Sequence, residues 1–201
     1  MIDFQSLKNS KIVAIALGSN LGDSQQTLES ALKIIAERKE ITLKSCSSWY
    51  QTAPIGPSQP DYLNGCAILE TTLKPHILLK TLLNIEYEFG RVRQERWGPR
   101  TLDLDLILYE DLILDSPDLI IPHPRMTQRA FVLAPLAEIA PNMIEPKSGL
   151  TISQLLEKVD QTGIKYRVSS SQLELTKEIN NFNHLVMIHS NLQVFLAKDY
   201  A

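Results

Sequence analysis

The sequence is poor in cysteine and contains no long apolar run, and both absences limit what the protein can be. Cys46 and Cys66 are its two cysteines, and their spacing fits neither a zinc motif nor a redox motif. They are too few for a disulfide scaffold, so we expect reduced thiols and a cytoplasmic location. The N-terminus is polar, and no run reaches the length of a membrane span. The composition therefore predicts neither export nor membrane insertion.

The chain also lacks an excess of positive charge and the common nucleotide-binding fingerprints. Its net charge is −3 over 201 residues, which argues against bulk attraction to nucleic acid or to an anionic membrane. A glycine-containing turn at residues 18–24 follows a short apolar run and precedes a helical pattern. That turn contains neither G-x-G-x-x-G nor G-x-x-x-x-G-K-[ST], so a nucleotide would be held without a P-loop lysine. We therefore expect a localised anion site.

Residues 90–109, GRVRQERWGPRTLDLDLILY, combine two opposite chemistries. The first half carries four arginines, at positions 91, 93, 96 and 100. The second half alternates, with leucines at 102, 104, 106 and 108 on one side, which is typical of a half-buried strand. Asp103 and Asp105 then project from the other, open face, with Cα atoms about 6.5–7 Å apart. Paired carboxylates bind hard divalent cations and guanidinium groups bind phosphate oxygens, so this stretch predicts a metal-and-arginine site for a nucleoside triphosphate.

Each part of this pattern has a simpler explanation when it is taken alone. An Asp-x-Asp pair on an amphipathic strand is usually a solvated sheet face, and clustered arginines are usually a soluble surface. Here a basic loop, a rigid Trp-Gly-Pro elbow and paired acids on one strand follow each other directly. That succession favours the functional interpretation.

Three blocks of the sequence stand out together. The first is residues 96–105, RWGPRTLDLD, which is long and uninterrupted. The second is residues 52–64, with TAPIGP followed by QPDYLN, and the third is residues 122–131, with PHPRM followed by RAF. All three resemble the 6-hydroxymethyl-7,8-dihydropterin pyrophosphokinase family of folate biosynthesis. The resemblance implies that the β,γ-diphosphate of ATP is transferred to the hydroxymethyl group of the dihydropterin, with AMP as the second product.

The resemblance also implies roles for individual residues. Two Mg²⁺ ions would be held by Asp103 and Asp105. The residues implied in catalysis are Arg91, Arg93, Trp97 and Arg100. Those implied in ATP binding are Glu86, Arg93, Trp97, Arg100, His123 and Arg129. Those implied in pterin binding are Thr52, Pro54, Ile55, Tyr62, Asn64 and Phe131.

Several of these residues also have ordinary structural explanations. Tyr62 can stack on a flat pterin and the Asn64 amide can pair with its donor–acceptor edge. Without the resemblance, Tyr62 fits a strand-edge aromatic and Asn64 a turn residue. Glu86 equally fits an exposed acid on a helix, and His123 fits a loop residue between two prolines. The resemblance decides in favour of a site.

The order strand–helix–strand–strand–helix–strand predicts an α+β fold. The expected architecture is a two-layer ferredoxin-like sandwich, with a mainly antiparallel sheet, helices on one face and a second strand at residues 41–52. We expect a catalytic domain at residues 1–160 and a C-terminal extension of unknown role at residues 161–201 that packs on it. The expected partners are small-molecule substrates, without nucleic acid or membrane, and the chain is expected to be a monomer.

Two other classes of protein fit parts of the sequence. A metal-dependent nucleotidyltransferase pairs a Gly-Ser turn with an Asp-x-Asp strand, but here Gly18 precedes Asp103 by about eighty residues. Such an enzyme would release pyrophosphate instead of AMP. A non-catalytic RNA-binding module would present aromatic side chains on its open strand face, where this sequence places two acids that repel phosphate. Neither class accounts for the whole pattern.

Overall fold

The computed structural model describes residues 10–54, 56–91 and 98–168, and these residues form eight strands and four α-helices. The strands are β1 (Lys11–Ser19), β2 (Ile41–Cys46), β3 (Trp49–Thr52), β4 (Tyr62–Thr71), β5 (Asp103–Tyr109), β6 (Leu114–Asp115), β7 (Ile120–Ile121) and β8 (Ile164–Val168). The helices are α1 (Ser24–Ala36), α2 (Pro75–Glu88), α3 (Ala130–Ile139) and α4 (Ile152–Leu156).

Six of these strands form one antiparallel sheet in the order β5-β1-β4-β3-β8, with β2 also paired to β4. β2 and β3 occupy successive parts of the same edge of β4. β6 and β7 form a separate hairpin. The central order follows a split βαβ arrangement, so the predicted α+β class and antiparallel ferredoxin-like sheet are confirmed.

The two longest helices begin at signals that the sequence displays. Asp23 caps α1, because its side chain accepts a hydrogen bond from the backbone N–H of Gln26 at 3.0 Å. Pro75 occupies the first turn of α2, where its missing N–H costs nothing. Gly90 follows α2 with φ 73°, a conformation that glycine adopts without strain. Local sequence therefore sets where both helices begin and where α2 ends.

Helices cover both faces of the sheet, whereas the sequence analysis placed them on one face. α1 and α2 pack on the face that carries Val13, Ile15 and Leu17 of β1. α3 and α4 pack on the opposite face, against Ala14 of β1 and Cys66 of β4. The physical reason is that β1 and β4 are apolar on both sides, so each face requires cover.

A β-bulge in β5 changes which residues face which core. Leu106 and Leu108 pair with consecutive residues of β1, so Ile107 is an extra residue in the strand. Leu108 therefore packs with Ile107 on the face covered by α3, while Tyr109 packs on the face covered by α1 and α2. The prediction that all four leucines face one core is wrong at Leu108. The open part of the strand is confined to its acidic beginning.

The strand expected at residues 41–52 is divided at Ser47 and Ser48. The backbone N–H and the hydroxyl of Ser48 donate to the Glu138 carboxylate of α3, at 3.2 Å and 3.0 Å. The hydroxyl of Ser47 accepts from the backbone N–H of Cys66 at 2.9 Å. Hydrogen bonds to side chains thus replace part of the backbone pairing at residues 47 and 48, which separates β2 from β3. The sequence could not predict this division, because Glu138 lies 90 positions further along the chain.

The beginning of the expected C-terminal extension forms the edge strand β8, which pairs with β3. The ammonium group of Lys165 lies 2.7 Å from both carboxylate oxygens of Asp61. The backbone N–H of Ala53 also donates to the carbonyl of Gly163 at 2.9 Å. These contacts attach residues 161–168 to the sheet, and residues 169–201 lie outside the described part of the chain.

Two further features concern the membrane and the thiols. Within the described ranges, no helix combines the length and the apolar character needed to cross a bilayer. Cys46 and Cys66 form no disulfide bond. Burial raises the pKa of Cys66, which keeps that thiol protonated and unreactive within the core.

Candidate active site

Strand pairing brings the separate sequence blocks together at one end of the sheet. Gly18, near the end of β1, lies opposite Asn64 of β4 on one side and opposite Asp103 of β5 on the other. Residues opposite each other in a sheet share a face, so the three positions form a row. Two strand spacings of about 4.8 Å place the Cα atoms of Asn64 and Asp103 roughly 10 Å apart.

A single cavity of about 860 Å³ extends along this row. One end is lined by Tyr62, Asn64 and Phe131, and its middle by Asp103 and Asp105. The far end is lined mainly by residues of α2 and of the β6–β7 hairpin, which are His76, Ile77, Leu79, Lys80, Leu83 and Asp118. The cavity can therefore hold two ligands with their reacting groups beside the paired acids.

Two guanidinium groups hold Asp103. Arg100 donates to its Oδ1 at 2.7 Å, and Nη2 of Arg91 lies 2.9 Å from the same oxygen. The side chain of Arg91 is 12 % exposed and that of Arg100 is 30 % exposed. Two planar donors are thus fixed beside one carboxylate, at the point where a phosphate group would meet the acids.

Asp105 lies beside two groups from the third sequence block. Nη1 of Arg129 is 3.4 Å and Nε2 of His123 is 3.8 Å from its Oδ2. Burial, with the charge of Asp103, raises the pKa of Asp105. Burial also lowers the pKa of His123, so its imidazole is neutral at neutral pH. The Nδ1 atom of His123 accepts the backbone N–H of Arg125 at 3.2 Å, which leaves the Nε2 proton facing the cavity.

The donor chemistry of the two acids fits magnesium. No group of three or more metal-ligating side chains occurs among the residues that the structure describes. Mg²⁺ prefers oxygen ligands and is commonly held by one or two carboxylates together with substrate phosphates and water. Asp103 and Asp105 supply that number of carboxylates on one strand face, so the residues present fit a metal that arrives with a polyphosphate.

Glu86 does not line the cavity, in contrast to the nucleotide contact that the sequence analysis assigned to it. Its side chain is 2 % exposed and forms an ion pair with Arg91. It also accepts the backbone N–H of Leu104, between the two acids, at 2.7 Å. Burial raises the pKa of Glu86 to about 7. The carboxylate therefore lies beneath the site and fixes the position of Arg91.

The raised pKa of Glu86 makes the protein's stability depend on pH. The folded state holds the proton more tightly than the unfolded state, whose carboxyl has a pKa near 4.5. We expect the free energy of unfolding of the wild type, relative to Glu86→Gln, to fall by up to about 3 kcal/mol as pH rises from 4.5 to 7. Urea unfolding of both proteins across this range measures the difference, and a pH-independent difference would contradict the assignment.

The other end of the cavity contains the groups predicted to bind a pterin. Asn64 donates from its amide nitrogen to the Thr52 hydroxyl at 2.6 Å, which fixes the orientation of the amide. Tyr62 and Phe131 both line the cavity, and Thr52 lines it although it is 3 % exposed. Pro54 is not among the described residues that line the cavity. The structure thus brings together Thr52, Tyr62, Asn64 and Phe131.

Three predicted site residues lie outside the described part of the chain. They are Ile55, Arg93 and Trp97. Two residues at the site were missed by sequence reasoning. Gly18 lines the cavity at the centre of the row, and Asn20 joins two loops beside it. The sequence feature that pointed to both residues was the Gly-Ser-Asn turn at residues 18–20. The sequence analysis assigned no function to that turn, because it matches no nucleotide-binding motif.

The fold and the site together define an α+β enzyme of phosphoryl transfer, with paired acids and arginines between two ends of one cavity. A sequence model of the 7,8-dihydro-6-hydroxymethylpterin-pyrophosphokinase family, abbreviated HPPK, matches residues 14–141. The chain belongs to this family. The predicted family resemblance is thereby confirmed.

Two bacterial relatives are similar over most of the described chain, and both are named 2-amino-4-hydroxy-6-hydroxymethyldihydropteridine pyrophosphokinase. The protein of Synechocystis sp. is 53% identical over 150 residues, which are 75% of this chain and 77% of that protein. The protein of Haemophilus influenzae is 45% identical over 152 residues, which are 75% of this chain and 95% of that protein.

A crystal structure of a Plasmodium falciparum HPPK-DHPS triple mutant shows the same fold, with a TM-score of 0.61 and 15% sequence identity. The superposition covers 74% of this chain but spans only 43% of that longer chain. This likeness supports the architecture alone.

Proposed function

We propose that this chain transfers the β,γ-diphosphate of ATP to the hydroxymethyl group of 6-hydroxymethyl-7,8-dihydropterin. The products are the dihydropterin diphosphate and AMP, and the reaction is a step of folate biosynthesis. The observation that carries the proposal is the row Asn64, Gly18 and Asp103 in one cavity. Membership of the HPPK family and the names of the relatives support the same reaction.

The pterin is proposed to bind between Tyr62 and Phe131, with its polar edge on Asn64. Two aromatic rings that line one cavity can enclose a flat heterocycle. Because the Asn64 amide nitrogen is already bonded to Thr52, its oxygen and its second N–H remain to pair with the ring. This position directs the hydroxymethyl group along the row towards the acids.

The triphosphate is proposed to lie beside Asp103 and Asp105, with its nucleoside towards α2. Two Mg²⁺ ions bound to these acids would neutralise the phosphates and lower the pKa of the attacking hydroxyl. Arg91 and Arg100 already lie beside Asp103, so their guanidinium groups can reach the transferring phosphate. The neutral His123 would donate its Nε2–H to a phosphate oxygen, and Arg129 would add a second donor.

The reaction forms a bond between the hydroxymethyl oxygen and the β-phosphorus, and breaks the bond from that phosphorus to the bridging oxygen of AMP. The proton of the hydroxymethyl group is released to solvent as the new bond forms. Arg100 and Arg91 would stabilise the charge that develops on the transferring group and on the leaving AMP. The remaining part of the rate enhancement would come from holding the two substrates in line. The predicted number of metal ions, the monomeric state and the cytoplasmic location stay predictions from the sequence.

Gly18 sets the shape of the cavity floor, and its replacement is expected to weaken pterin binding. A Cβ atom at this position would lie 2.9 Å from the Asn64 side-chain oxygen, so the amide must move. We expect Gly18→Ala to raise the KM for the pterin about tenfold, because one hydrogen bond to the ring is lost. The KM for ATP should change less than twofold. Equal changes in both KM values would contradict a role of Gly18 that is specific to the pterin.

Separation of the nucleotide products tests the proposed function. The purified chain is incubated with MgATP, with and without 6-hydroxymethyl-7,8-dihydropterin, and the nucleotides are resolved by anion-exchange chromatography. We expect AMP only when the pterin is present. ADP would indicate an ordinary kinase on this fold, and pyrophosphate would indicate the nucleotidyltransferase alternative.

A further inference from the structure

The turn between β1 and α1 contains a buried asparagine that the mechanism above does not use. Asn20 is 5 % exposed and does not line the cavity. Its amide nitrogen donates to the Gln59 side-chain oxygen at 3.1 Å and to the Pro60 carbonyl at 3.0 Å. Its amide oxygen accepts the backbone N–H of Arg100 at 2.7 Å, and its own backbone N–H donates to the Arg100 carbonyl at 3.1 Å. One side chain is thus bonded to two distant segments.

These two segments serve different substrates in the proposed reaction. The pterin-side loop, residues 56–61, leads directly into Tyr62. The arginine segment, residues 98–102, carries Arg100 and leads directly into Asp103. Neither segment belongs to a helix or a strand, so neither is held by regular backbone pairing. The Asn20 side chain links the two segments, because its amide nitrogen bonds to the pterin-side loop and its amide oxygen bonds to the arginine segment.

Another contact between the two sides is longer. The Tyr62 hydroxyl is 3.3 Å from the Gly98 carbonyl and 3.5 Å from the Gln59 side-chain oxygen. A hydroxyl has one proton and both of these atoms are acceptors, so it can donate fully to only one of them. The three hydrogen bonds of the Asn20 side chain are shorter, at 3.1, 3.0 and 2.7 Å, and Asn20 itself is 5 % exposed, which strengthens its bonds. The link between the two segments through Asn20 is therefore tighter than the link through the Tyr62 hydroxyl.

We propose that Asn20 is a positioning residue that couples the pterin-side loop to the arginine segment, so that each substrate strengthens the binding of the other. The inference rests on the proposed function, because it takes the pterin and ATP as the two ligands. A ligand that fixes one segment also fixes the other through Asn20. The second ligand then meets a segment that is already ordered and loses less conformational freedom on binding. Such coupling is reciprocal, because the factor by which ATP raises the affinity for the pterin equals the factor by which the pterin raises the affinity for ATP.

The test measures the coupling factor directly. The dissociation constant of 6-hydroxymethyl-7,8-dihydropterin is determined by calorimetry with and without saturating Mg²⁺ and α,β-methylene-ATP. This analogue cannot react, because the methylene group replaces the oxygen at the bond that breaks. We expect the analogue to tighten pterin binding at least about fivefold in the wild type. In Asn20→Ala the factor should fall below about twofold, while the affinity for each ligand alone changes less than about threefold.

Two further variants separate coupling from general damage. Gln59→Ala removes one hydrogen bond of Asn20. Because the Gln59 side chain is partly exposed, we expect this variant to fold, and it tests the link even if Asn20→Ala does not fold. We expect it to lower the coupling factor about twofold or more. Asn84→Ala is the matched control, because Asn84 is an exposed asparagine on α2 that does not line the cavity. Its coupling factor should equal that of the wild type.

Each outcome decides either the inference or the proposed function. A wild-type factor near one, or an undiminished factor in a folded Asn20→Ala, would overturn the inference and leave the proposed function intact. An undiminished factor in Gln59→Ala, where Asn20→Ala does not fold, would also overturn it. If the wild type binds no pterin under either condition and forms no AMP, the proposed function fails and the inference fails with it.

Discussion

Replacement of Asp105 or Asp103 by alanine is expected to lower kcat by about three orders of magnitude or more. Each change removes a metal-binding carboxylate, and the loss of about 4 kcal/mol of transition-state stabilisation corresponds to about 10³-fold in rate. The fold should survive, because both acids lie on the open part of β5 and the face packed against α1 and α2 is unchanged.

The measurement is a steady-state AMP assay with a melting curve for each variant. Asp111→Ala is the matched control, since Asp111 is an exposed acid just beyond β5 that lies outside the cavity. It should keep wild-type kcat. Near-normal kcat in both Asp103→Ala and Asp105→Ala would contradict the proposal that these two acids bind the metal ions.

Replacement of Arg100 by alanine is expected to lower kcat about 10²- to 10³-fold with a smaller change in KM. This is the usual scale for removal of one preorganised donor from a transition state. Arg100 is held 2.7 Å from Asp103, and its backbone is bonded to Asn20 at both the N–H and the carbonyl. The donor is thus fixed before the reaction begins. Arg100→Lys should recover only part of the loss, because an ammonium group lacks the planar fork.

The two kinetic constants distinguish the possible roles of Arg100. A fall in kcat with a nearly constant KM indicates a contact made in the transition state. A rise in KM alone would instead assign Arg100 to ground-state binding. Arg38→Ala provides the control, because Arg38 pairs with Glu88 at 3.7 Å and lies outside the cavity. Its rate should equal that of the wild type.

The sequence could predict those parts of the fold that depend on local patterns. The alternation in residues 101–109 correctly placed Asp103 and Asp105 on one side of β5. The cap at Asp23 and the proline at Pro75 marked the starts of two helices. The bulge at Ile107 and the helices on the second face could not be predicted, because both depend on how β5 and β1 pair across the sheet.

The candidate site shows the same division between local and distant information. Residue types and the family resemblance indicated Asn64, but only the structure shows that Thr52 fixes the orientation of its amide. Glu86 has an ordinary position in the helical pattern, and its burial beneath Arg91 depends on a strand that follows later in the chain. Asn20 appeared as a turn residue, and its bonds reach residues about forty and eighty positions away.

Phosphorus NMR of the reaction tests the central claim, which is that an intact diphosphate moves to the pterin. The purified chain is mixed with Mg²⁺, ATP and 6-hydroxymethyl-7,8-dihydropterin, and the spectrum is followed with time. The account predicts that the three ATP resonances are replaced by the singlet of AMP and by two coupled doublets of a diphosphate ester. ADP resonances together with a single phosphomonoester signal, or free pyrophosphate with AMP attached to the pterin, would contradict it.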